Sequence, residues 1–316
     1  MYRDGALKVL SIFLNLKYSK IFFDTRYRQN FFLNHLLYKL YVDFWIYFKC
    51  DSNTKVTYLS GTPPIFKMNS YIYCCFQNAN IFFKNCNNRN FFSWVLSLDF
   101  LRFVFFKIFK KNVDMWIVFS PIARALLVES GIKEISIKYI ALFNFRNKKN
   151  IKKKKYDLIY PASLLAHKNH KNLILALKIL SLKNIRPKVL LTLSKNEIKK
   201  FEFINLIKKY KLDIVFKKFT NKTINRAYSQ SKILIYPSLN ETIGLPILEA
   251  SENNLIVITS KLPYAYQFVN PNLTFNPLNP NEIANKIQFA ISNKIQNIPV
   301  VNNNLLTIKT AQQLFV

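Results

Sequence analysis

The sequence has little glycine, little cysteine and few acidic residues. Its 316 residues include 4 Gly and 4 Cys, and 16 Asp and Glu stand against 47 Lys and Arg, which gives a formal net charge of +31. The cysteines show neither paired CxxC spacing nor the framework of a small secreted domain, so we expect no structural zinc, no disulfides and a reducing compartment. Half of the residues are hydrophobic, which excludes intrinsic disorder and suffices for a large core.

A long hydrophobic run without charges is also missing. The best candidate for a membrane span, residues 91–109, contains Asp99, Arg102 and Lys107, each of which costs about 2.5–3.5 kcal/mol at the centre of a membrane helix. We therefore expect no span, and we interpret this segment either as a core helix or as an amphipathic helix on an anionic membrane surface. The apolar run at residues 9–16 is short and has no small-residue cleavage site. A cytoplasmic protein, with at most peripheral membrane contact, is expected.

The excess of basic residues predicts attraction to polyanions, anionic lipids or phosphorylated ligands. No RNA-binding or DNA-binding module is recognisable, and the lysines are scattered along the chain. A specific nucleic-acid partner is therefore not expected.

From residue 156 onward, short apolar runs alternate with amphipathic stretches, which is the pattern of βαβ units around a parallel sheet. Apolar residues at helical spacing predict one helix around residues 173–180 and a second over residues 198–207. This half is therefore predicted to be a doubly wound α/β domain. Its predicted strands are residues 157–160, 189–193, 214–216, 233–236, 256–259 and 273–275.

The first half is predicted to form a second α/β domain, with helices near residues 31–48 and 91–110. Between the halves, residues 145–155 contain four consecutive lysines and no apolar periodicity, which predicts a solvated linker, with lipid or nucleic-acid contact as the alternative. The predicted strands are residues 56–59, 71–76, 115–119 and 135–140. The predicted divisions are a domain at residues 1–150, a domain at residues 156–293, and a tail or helix at residues 294–316 that packs back toward the first domain.

The segment that follows the predicted strand 233–236 contains the main candidates for functional residues. Residues 237–250 read Pro-Ser-Leu-Asn-Glu-Thr-Ile-Gly-Leu-Pro-Ile-Leu-Glu-Ala. Glu241 falls in the loop after a parallel strand, Gly244 permits a tight turn, and Pro246 suits the first residue of a helix. Ligands of open α/β sheets bind at that edge.

Two features of this segment predict a ligand site. The backbone amides of Gly244, Leu245 and Ile247 are expected to be free at the helix start, where they suit phosphate. Glu249 follows Glu241 by eight positions, so both acids can face one crevice and accept hydrogen bonds from sugar or ribose hydroxyls, each worth about 1.5–3 kcal/mol. Two acids at this spacing are otherwise typical of a solvated helix start, but the surrounding proline, glycine and strand favour the site.

This segment resembles the Glu-x7-Glu signature, in its form PSxxExxGLPxLEA, of the retaining family-4 glycosyltransferases, and among them the group 1 enzymes of O-antigen and polysaccharide synthesis. Residues 256–263 and 275–280 resemble two further stretches of that family. The run His-Lys-Asn-His-Lys-Asn at residues 167–172 resembles the turn that carries its phosphate-binding lysine. The resemblance covers residues 157–293 and implies the GT-B fold, in which two Rossmann-like domains face a cleft.

The resemblance assigns roles to individual residues. It implies that Glu241 contacts the transferred sugar, Glu249 the ribose and Lys168 the diphosphate of a nucleotide-sugar donor, without a metal or other cofactor and with retention of configuration. An ammonium group in that place stabilises the charge that grows on the leaving nucleotide. The implied acceptor is a glycan or a lipid-linked glycan. The further candidates are Ser163, Lys217, Thr242, Gly244 and Leu245 for the donor site, Asn78 for the catalytic group and Gly5 for the acceptor site.

Three departures from the pattern of the family leave a second hypothesis about the function open. Ser163 stands where many members have an arginine, and Lys217 or Lys218 is the candidate replacement for its charge. Asn78 stands where other members place a histidine near the reacting sugar. The sequence opens with residues 1–7, which include Gly5, as if inside the acceptor loop, so the first strand of the domain is expected to be absent. The alternative is a catalytically inactive GT-B remnant that serves as a binding or scaffold subunit.

Two histidines flank the predicted phosphate lysine. His167 and His170 lie three residues apart without a third candidate ligand, so a metal site is not expected and both are interpreted as turn residues. Asn169 or Asn172 is expected to cap the helix that follows.

Overall fold

The computed structural model describes residues 32–59, 61–82, 91–140, 154–220, 223–293 and 295. These residues form two compact units, residues 32–140 and residues 154–295. Gly5, most of the predicted linker and all of the predicted C-terminal tail except residue 295 lie outside the described residues.

The first unit is built around a sheet of four parallel strands. Its strands are β1 (Lys55–Tyr58), β2 (Tyr71–Phe76), β3 (Met115–Val118) and β4 (Ile137–Tyr139), and its helices are α1 (Phe32–Lys49), α2 (Phe91–Val95), α3 (Leu98–Phe109) and α4 (Pro121–Glu129). The strands lie in the order β1-β2-β3-β4. Five of the six residues of β2 are buried, as is typical of a parallel strand covered on both faces. The strands predicted for this half are confirmed to within two residues at each end.

The single helix predicted over residues 91–110 is wrong, because the segment forms two helices. Ser97, between α2 and α3, has an extended backbone with φ −98° and ψ 159°, and its hydroxyl donates to the carbonyl of Trp94 at 2.6 Å. Serine side chains compete with the helix for backbone groups, which explains the break. α3 turns one face to the core and leaves Leu101 and Ile108 exposed. In the part of the chain that the structure describes, no helix is long and apolar enough to span a membrane.

The second unit is built around six parallel strands. Its strands are β5 (Tyr156–Tyr160), β6 (Val189–Leu191), β7 (Ile214–Phe216), β8 (Ser231–Tyr236), β9 (Ile256–Ser260) and β10 (Leu273–Phe275), and its helices are α5 (His170–Leu182), α6 (Lys195–Lys199), α7 (Ile204–Lys209), α8 (Ile224–Ser229), α9 (Leu245–Glu252) and α10 (Pro280–Ser292). The strands lie in the order β10-β9-β8-β5-β6-β7. The chain starts in mid-sheet at β5, moves outward to β7, and returns to β8 on the other side of β5. This is a doubly wound arrangement with its switch point between β5 and β8.

The strands predicted for this half are confirmed, with ends shifted by up to two residues. The helix predicted over residues 198–207 is wrong, because the segment forms the two short helices α6 and α7. Phe201 lies between them and is 3% exposed. Its ring centroid lies 5.7 Å from that of His170 and 5.9 Å from that of Phe216. The helical path is interrupted where this side chain packs into the core.

Candidate active site

Two loops meet at the carboxyl edge of the second sheet, one after β5 and the other after β8. These strands are parallel neighbours, so their ends lie at the switch point, where open α/β sheets bind ligands. Leu239 donates its amide N–H to the carbonyl of His167 at 2.7 Å. This bond joins the loop that carries Lys168 to the loop that carries Glu241, and the Ser238 hydroxyl oxygen lies 3.2 Å from the same carbonyl oxygen.

Lys168 and Glu241 form an ion pair in which each side chain is 14% exposed. The Oε1 atom of Glu241 accepts from the Lys168 ammonium, and it also accepts from the hydroxyls of Tyr236 and Ser238, both at 2.7 Å. The other oxygen, Oε2, has no donor among the described residues. The carboxylate therefore keeps one oxygen for a ligand.

The pKa of Glu241 lies below its ordinary value. Burial by itself raises the pKa of this carboxyl, but the charge and hydrogen bond of Lys168 and the hydrogen bonds of Tyr236 and Ser238 together lower it by more. Glu241 is therefore ionised at neutral pH, so its open oxygen Oε2 is available as a hydrogen-bond acceptor.

Three buried tyrosines, Tyr160, Tyr236 and Tyr264, support this pair, and we refer to them as the tyrosine layer. The ring of Tyr236 packs edge to face against the other two, at centroid distances of 5.8 and 6.1 Å. The hydroxyl of Tyr160 donates to the carbonyl of Lys168. The hydroxyl of Tyr264 donates to the carbonyl of Ser238 at 2.8 Å. Burial is the main cause that raises the pKa of all three hydroxyls, so they remain protonated donors.

Sequence reasoning did not identify the tyrosine layer. Tyr160 and Tyr236 are the last residues of β5 and β8, and both strands end in buried runs. A buried tyrosine hydroxyl needs a hydrogen-bond partner. Tyrosines that end two neighbouring buried strands were therefore the available signal that polar groups gather at this edge.

Side-chain amides tie the loop after β5 to other loops. Asn169 has a left-handed φ of 56°, and its Nδ2 donates to the carbonyls of Pro237 and Pro277 at 3.0 and 2.7 Å. Asn172 donates to the carbonyl of Pro277 at 2.9 Å. Asn169 occupies the N-cap position of α5, as predicted, but its side chain makes no cap hydrogen bond, because both amides donate to the proline carbonyls.

His170 is the first residue of α5, so its interpretation as a turn residue is wrong, whereas His167 lies in a short turn. Burial lowers the pKa of His170 to about 4, and the neutral ring donates its Nε2–H to the Ser163 carbonyl at 3.2 Å. The amide of Leu164 donates to Glu197 at 3.1 Å. Ser163 is thus fixed through its backbone. Within the described ranges, no three His, Cys, Asp or Glu residues come together as a possible metal site.

Glu249 lies about one turn into α9, whose start depends on Gly244. Gly244 has a φ of 72°, in the left-handed region that side chains disfavour, so this turn favours glycine. Pro246 is the second helical residue, where its missing N–H is not needed. The amide of Ile247 donates to the Gly244 carbonyl at 2.9 Å, so the prediction that this amide is free is wrong.

Glu249 also accepts from a buried tyrosine. Tyr228 in α8 is fully buried and donates its hydroxyl to Oε2 of Glu249 at 2.8 Å. Both acids of the predicted pair therefore accept a tyrosine hydroxyl. Thr242 lies in the loop between them, and its carbonyl accepts from Nε2 of Gln267 at 3.0 Å.

The remaining predicted residues lie elsewhere in the fold. Lys217 follows the edge strand β7, and because β6 separates β7 from β5, about 10 Å of sheet lies between Lys217 and the strand that leads to Lys168. Its ammonium lies 5.4 Å from the centre of the Phe219 ring. Asn78 follows β2 of the first unit and is half-buried.

The chain is similar to known glycosyltransferases in sequence and in fold. The sequence model of a family described as glycosyl transferases group 1 matches residues 143–304, about half of the chain. Two curated sequences named O-antigen biosynthesis glycosyltransferase WclY, from Escherichia coli, are 28% identical over 191 residues, which is 60% of this chain and 52% of theirs. The chain thus spans about half the length of the curated relatives it matches.

Solved structures share the fold. A point mutant of TarM from S. aureus, in complex with fondaparinux, α-GlcNAc-glycerol and UDP, superposes with a TM-score of 0.61 at 16% identity, covering 88% of this chain and 55% of that chain. Sucrose-phosphate synthase from Thermosynechococcus elongatus superposes with a TM-score of 0.58 at 19% identity, covering 76% of this chain and 64% of that chain. A glycosyltransferase from Rickettsia africae superposes with a TM-score of 0.56 at 17% identity, covering 93% of this chain and 78% of that chain. These likenesses confirm the expected GT-B fold, with two Rossmann-like α/β units.

Proposed function

This chain belongs to the group 1 glycosyl transferases, and we propose that it moves a sugar from a nucleotide-sugar donor to a glycan or lipid-linked acceptor. The observation that carries the proposal is the contact between Lys168 and Glu241 at the switch point of the second sheet. A cation suits the negatively charged diphosphate of such a donor, and a carboxylate oxygen without a donor suits a sugar hydroxyl, which donates a hydrogen bond.

Lys168 supplies the positive charge of the proposed donor site. Its ammonium has three N–H donors, and its bond to Glu241 leaves capacity for diphosphate oxygens. Negative charge grows on the diphosphate as it departs, so the ammonium stabilises the transition state more than the ground state. The amides of Gly244 and Leu245, at the positive end of α9, act in the same direction.

The two acids of the signature bind hydroxyls in this proposal. Oε2 of Glu241 accepts from a hydroxyl of the transferred sugar, and Glu249 accepts from the ribose, with Thr242 in the loop between them. Ser163 cannot neutralise a phosphate, and Lys217 or Lys218, which follow β7 two strands away from β5, are the candidates for a further charge that reaches the diphosphate.

The proposed transfer retains the anomeric configuration and uses no metal. The acceptor hydroxyl attacks on the face from which the nucleotide departs, and Asn78 is the candidate side chain at the reacting sugar. NMR of the sugar first released by donor hydrolysis is expected to show the anomer of the donor, and the opposite anomer would contradict retention. Turnover is expected to be unchanged in EDTA, whereas a loss that Mg²⁺ or Mn²⁺ restores would show that a metal takes part.

Release of nucleoside diphosphate from a panel of UDP-, GDP- and dTDP-sugars tests the activity. Lys168→Ala is expected to lower turnover about 100-fold with little change in Tm, because the lost charge acts on the leaving group. Lys232→Ala is the matched control, since it removes an ion pair with Asp157 at 2.8 Å in the same unit. Nucleotide binding without turnover would instead favour an inactive remnant that acts as a binding or scaffold subunit.

We further propose a cytoplasmic enzyme whose first unit contacts an anionic membrane surface. α1 carries a stripe of large side chains on the face opposite its buried Val42 and Ile46, and each is more than half exposed. The stripe consists of Leu37, Tyr41, Phe44 and Phe48. Exposed Lys49, Lys107 and Lys111, on or directly after α1 and α3, add the charge that anionic lipids attract.

Sedimentation with lipid vesicles tests this contact. We expect binding to vesicles of phosphatidylcholine with phosphatidylglycerol and little binding to phosphatidylcholine alone. The double change Phe44→Ser and Phe48→Ser should weaken binding, whereas Leu182→Ser, at a leucine of the second unit that is 67% exposed, should not. Equal binding by all three proteins would contradict the proposed surface.

A further inference from the structure

The three donors to Glu241 differ in how firmly they are held. Lys168 reaches Oε1 on a flexible four-carbon chain, and a diphosphate would compete for its charge. Tyr236 is 0% exposed, and its ring packs against Tyr160 and Tyr264. Its hydroxyl donates a hydrogen bond to Oε1 of Glu241 at 2.7 Å. If a diphosphate draws the ammonium away, the tyrosine hydroxyl stays in place.

A carboxylate that is held by one oxygen presents the other in a fixed direction. The hydroxyls of Tyr236 and Ser238 both donate to Oε1 of Glu241, while Oε2 has no donor in the described part of the chain. Rotation of the carboxyl group would break both hydroxyl bonds to a charged acceptor. The hydroxyl donors on Oε1 therefore fix the direction in which Oε2 points.

We propose that Tyr236 is a positioning residue for Glu241, and that its hydroxyl holds Oε1 so that Oε2 meets a hydroxyl of the donor sugar. The inference rests on the proposed function. Tyr236 itself touches no substrate and acts through the carboxylate.

The same bond affects titration. The titratable groups that face Glu241 are Lys168 and the hydroxyls of Tyr160, Tyr236 and Tyr264. The hydrogen bond of Tyr236 contributes to the lowered pKa of Glu241, because it favours the ionised form. Loss of that hydroxyl raises this pKa, so the acid limb of the profile of kcat/KM against pH moves to higher pH.

Tyr236→Phe tests the proposal, with Tyr58→Phe as the matched control. Tyr58 donates its hydroxyl to the carboxylate of Asp43 at 2.8 Å in the first unit, so both variants lose a buried bond to a carboxylate. For the panel sugar that wild type hydrolyses fastest, Tyr236→Phe is expected to lower kcat/KM about tenfold, mostly through kcat, and to shift the acid limb upward. Tyr58→Phe should lower Tm without changing kcat, KM or the acid limb.

Three results would decide against the inference. An active wild type with unchanged kinetics and acid limb in Tyr236→Phe overturns the positioning role alone. A wild type that hydrolyses no sugar of the panel overturns the proposed function and the positioning role together. If Tyr236→Phe does not fold, Ser238→Ala removes the other hydroxyl from Oε1: an upward shift of its acid limb supports the inference, and an unchanged acid limb overturns it.

Discussion

Each unit brings a lysine, a carboxylate and a tyrosine hydroxyl together, but the two groups differ in what they leave unused. In the first unit, Asp43 is 0% exposed, and its Oδ1 accepts from Lys39 and Tyr58. Its Oδ2 accepts from Lys39 and from the amide of Ile65. In the second unit, Glu241 accepts all three of its donors on one oxygen, and its side chain is 14% exposed.

The difference separates a carboxylate with hydrogen bonds on both oxygens from one that keeps an oxygen open to a ligand. Asp43 ties α1 to the chain after β1, and with both oxygens occupied it offers nothing to a ligand. Glu241 stands at the end of a strand, between two loops, with an oxygen that a ligand hydroxyl can satisfy. Burial lowers the pKa of Lys39, although Asp43 acts against this, which is consistent with a closed pair inside the unit.

The largest expected effect is on stability in the first unit. Asp43→Ala leaves the ammonium of Lys39, the hydroxyl of Tyr58 and the amide of Ile65 without their acceptor. Breaking a buried pair in this way costs about 3–5 kcal/mol, which urea unfolding would measure. Asp43→Asn keeps an acceptor oxygen and should cost less. An equal loss in Glu241→Ala would remove the contrast between the two carboxylates.

The second effect is on turnover. Glu241→Gln is expected to lower donor hydrolysis about 100-fold, because a neutral amide binds the sugar hydroxyl less strongly. Its Tm should change little, since the amide oxygen can still accept from Tyr236 and Ser238. A fall in Tm as large as that of Asp43→Ala would show that Glu241 is a structural residue like its counterpart.

A smaller effect is expected on nucleotide affinity. Glu249→Ala should weaken binding of the nucleoside diphosphate selected by the panel at least about tenfold, because hydrogen bonds to the ribose are lost. Isothermal calorimetry measures this. Glu202→Ala, at an exposed acid of the same unit, is the control and should bind as wild type does. Unchanged affinity in Glu249→Ala would contradict its assignment.

The smallest effect is the pH dependence of stability. The folded pKa of Glu241 is lowered from 4.5, so its ionised form favours folding above that value, and the contribution is lost as the pH falls through the folded pKa. The difference in free energy of unfolding between wild type and Glu241→Gln should therefore be constant near neutral pH and shrink below pH 4.5. Urea titrations at several pH values test this, and a difference that does not vary with pH would refute it.

Local backbone chemistry explains which parts of the site were predictable. Gly244 adopts a positive φ and Pro246 lies in the first turn of a helix, as their residue types favour, so the loop and helix around Glu241 were predictable from the sequence. The buried parallel strands were equally predictable from the sequence, because they are continuous apolar runs.

Two of the wrong predictions depend on partners that are distant in sequence. Asn169 serves carbonyls of Pro237 and Pro277 instead of its own helix, and Phe201 interrupts a helix where it packs against His170 and Phe216. No local pattern contains these contacts, since each depends on which segments the sheet brings together.

The amino-acid sequence by itself determined the strands of both units, the family resemblance and the identity of two acids and a lysine as site candidates, because spacing and residue type act over short distances. Only the tertiary structure decided that Lys168 and Glu241 touch, that one carboxylate oxygen stays unused and that a buried tyrosine holds the other. Those properties arise because the strand order sets β5 beside β8. Side chains more than seventy positions apart in the sequence then form hydrogen bonds with each other.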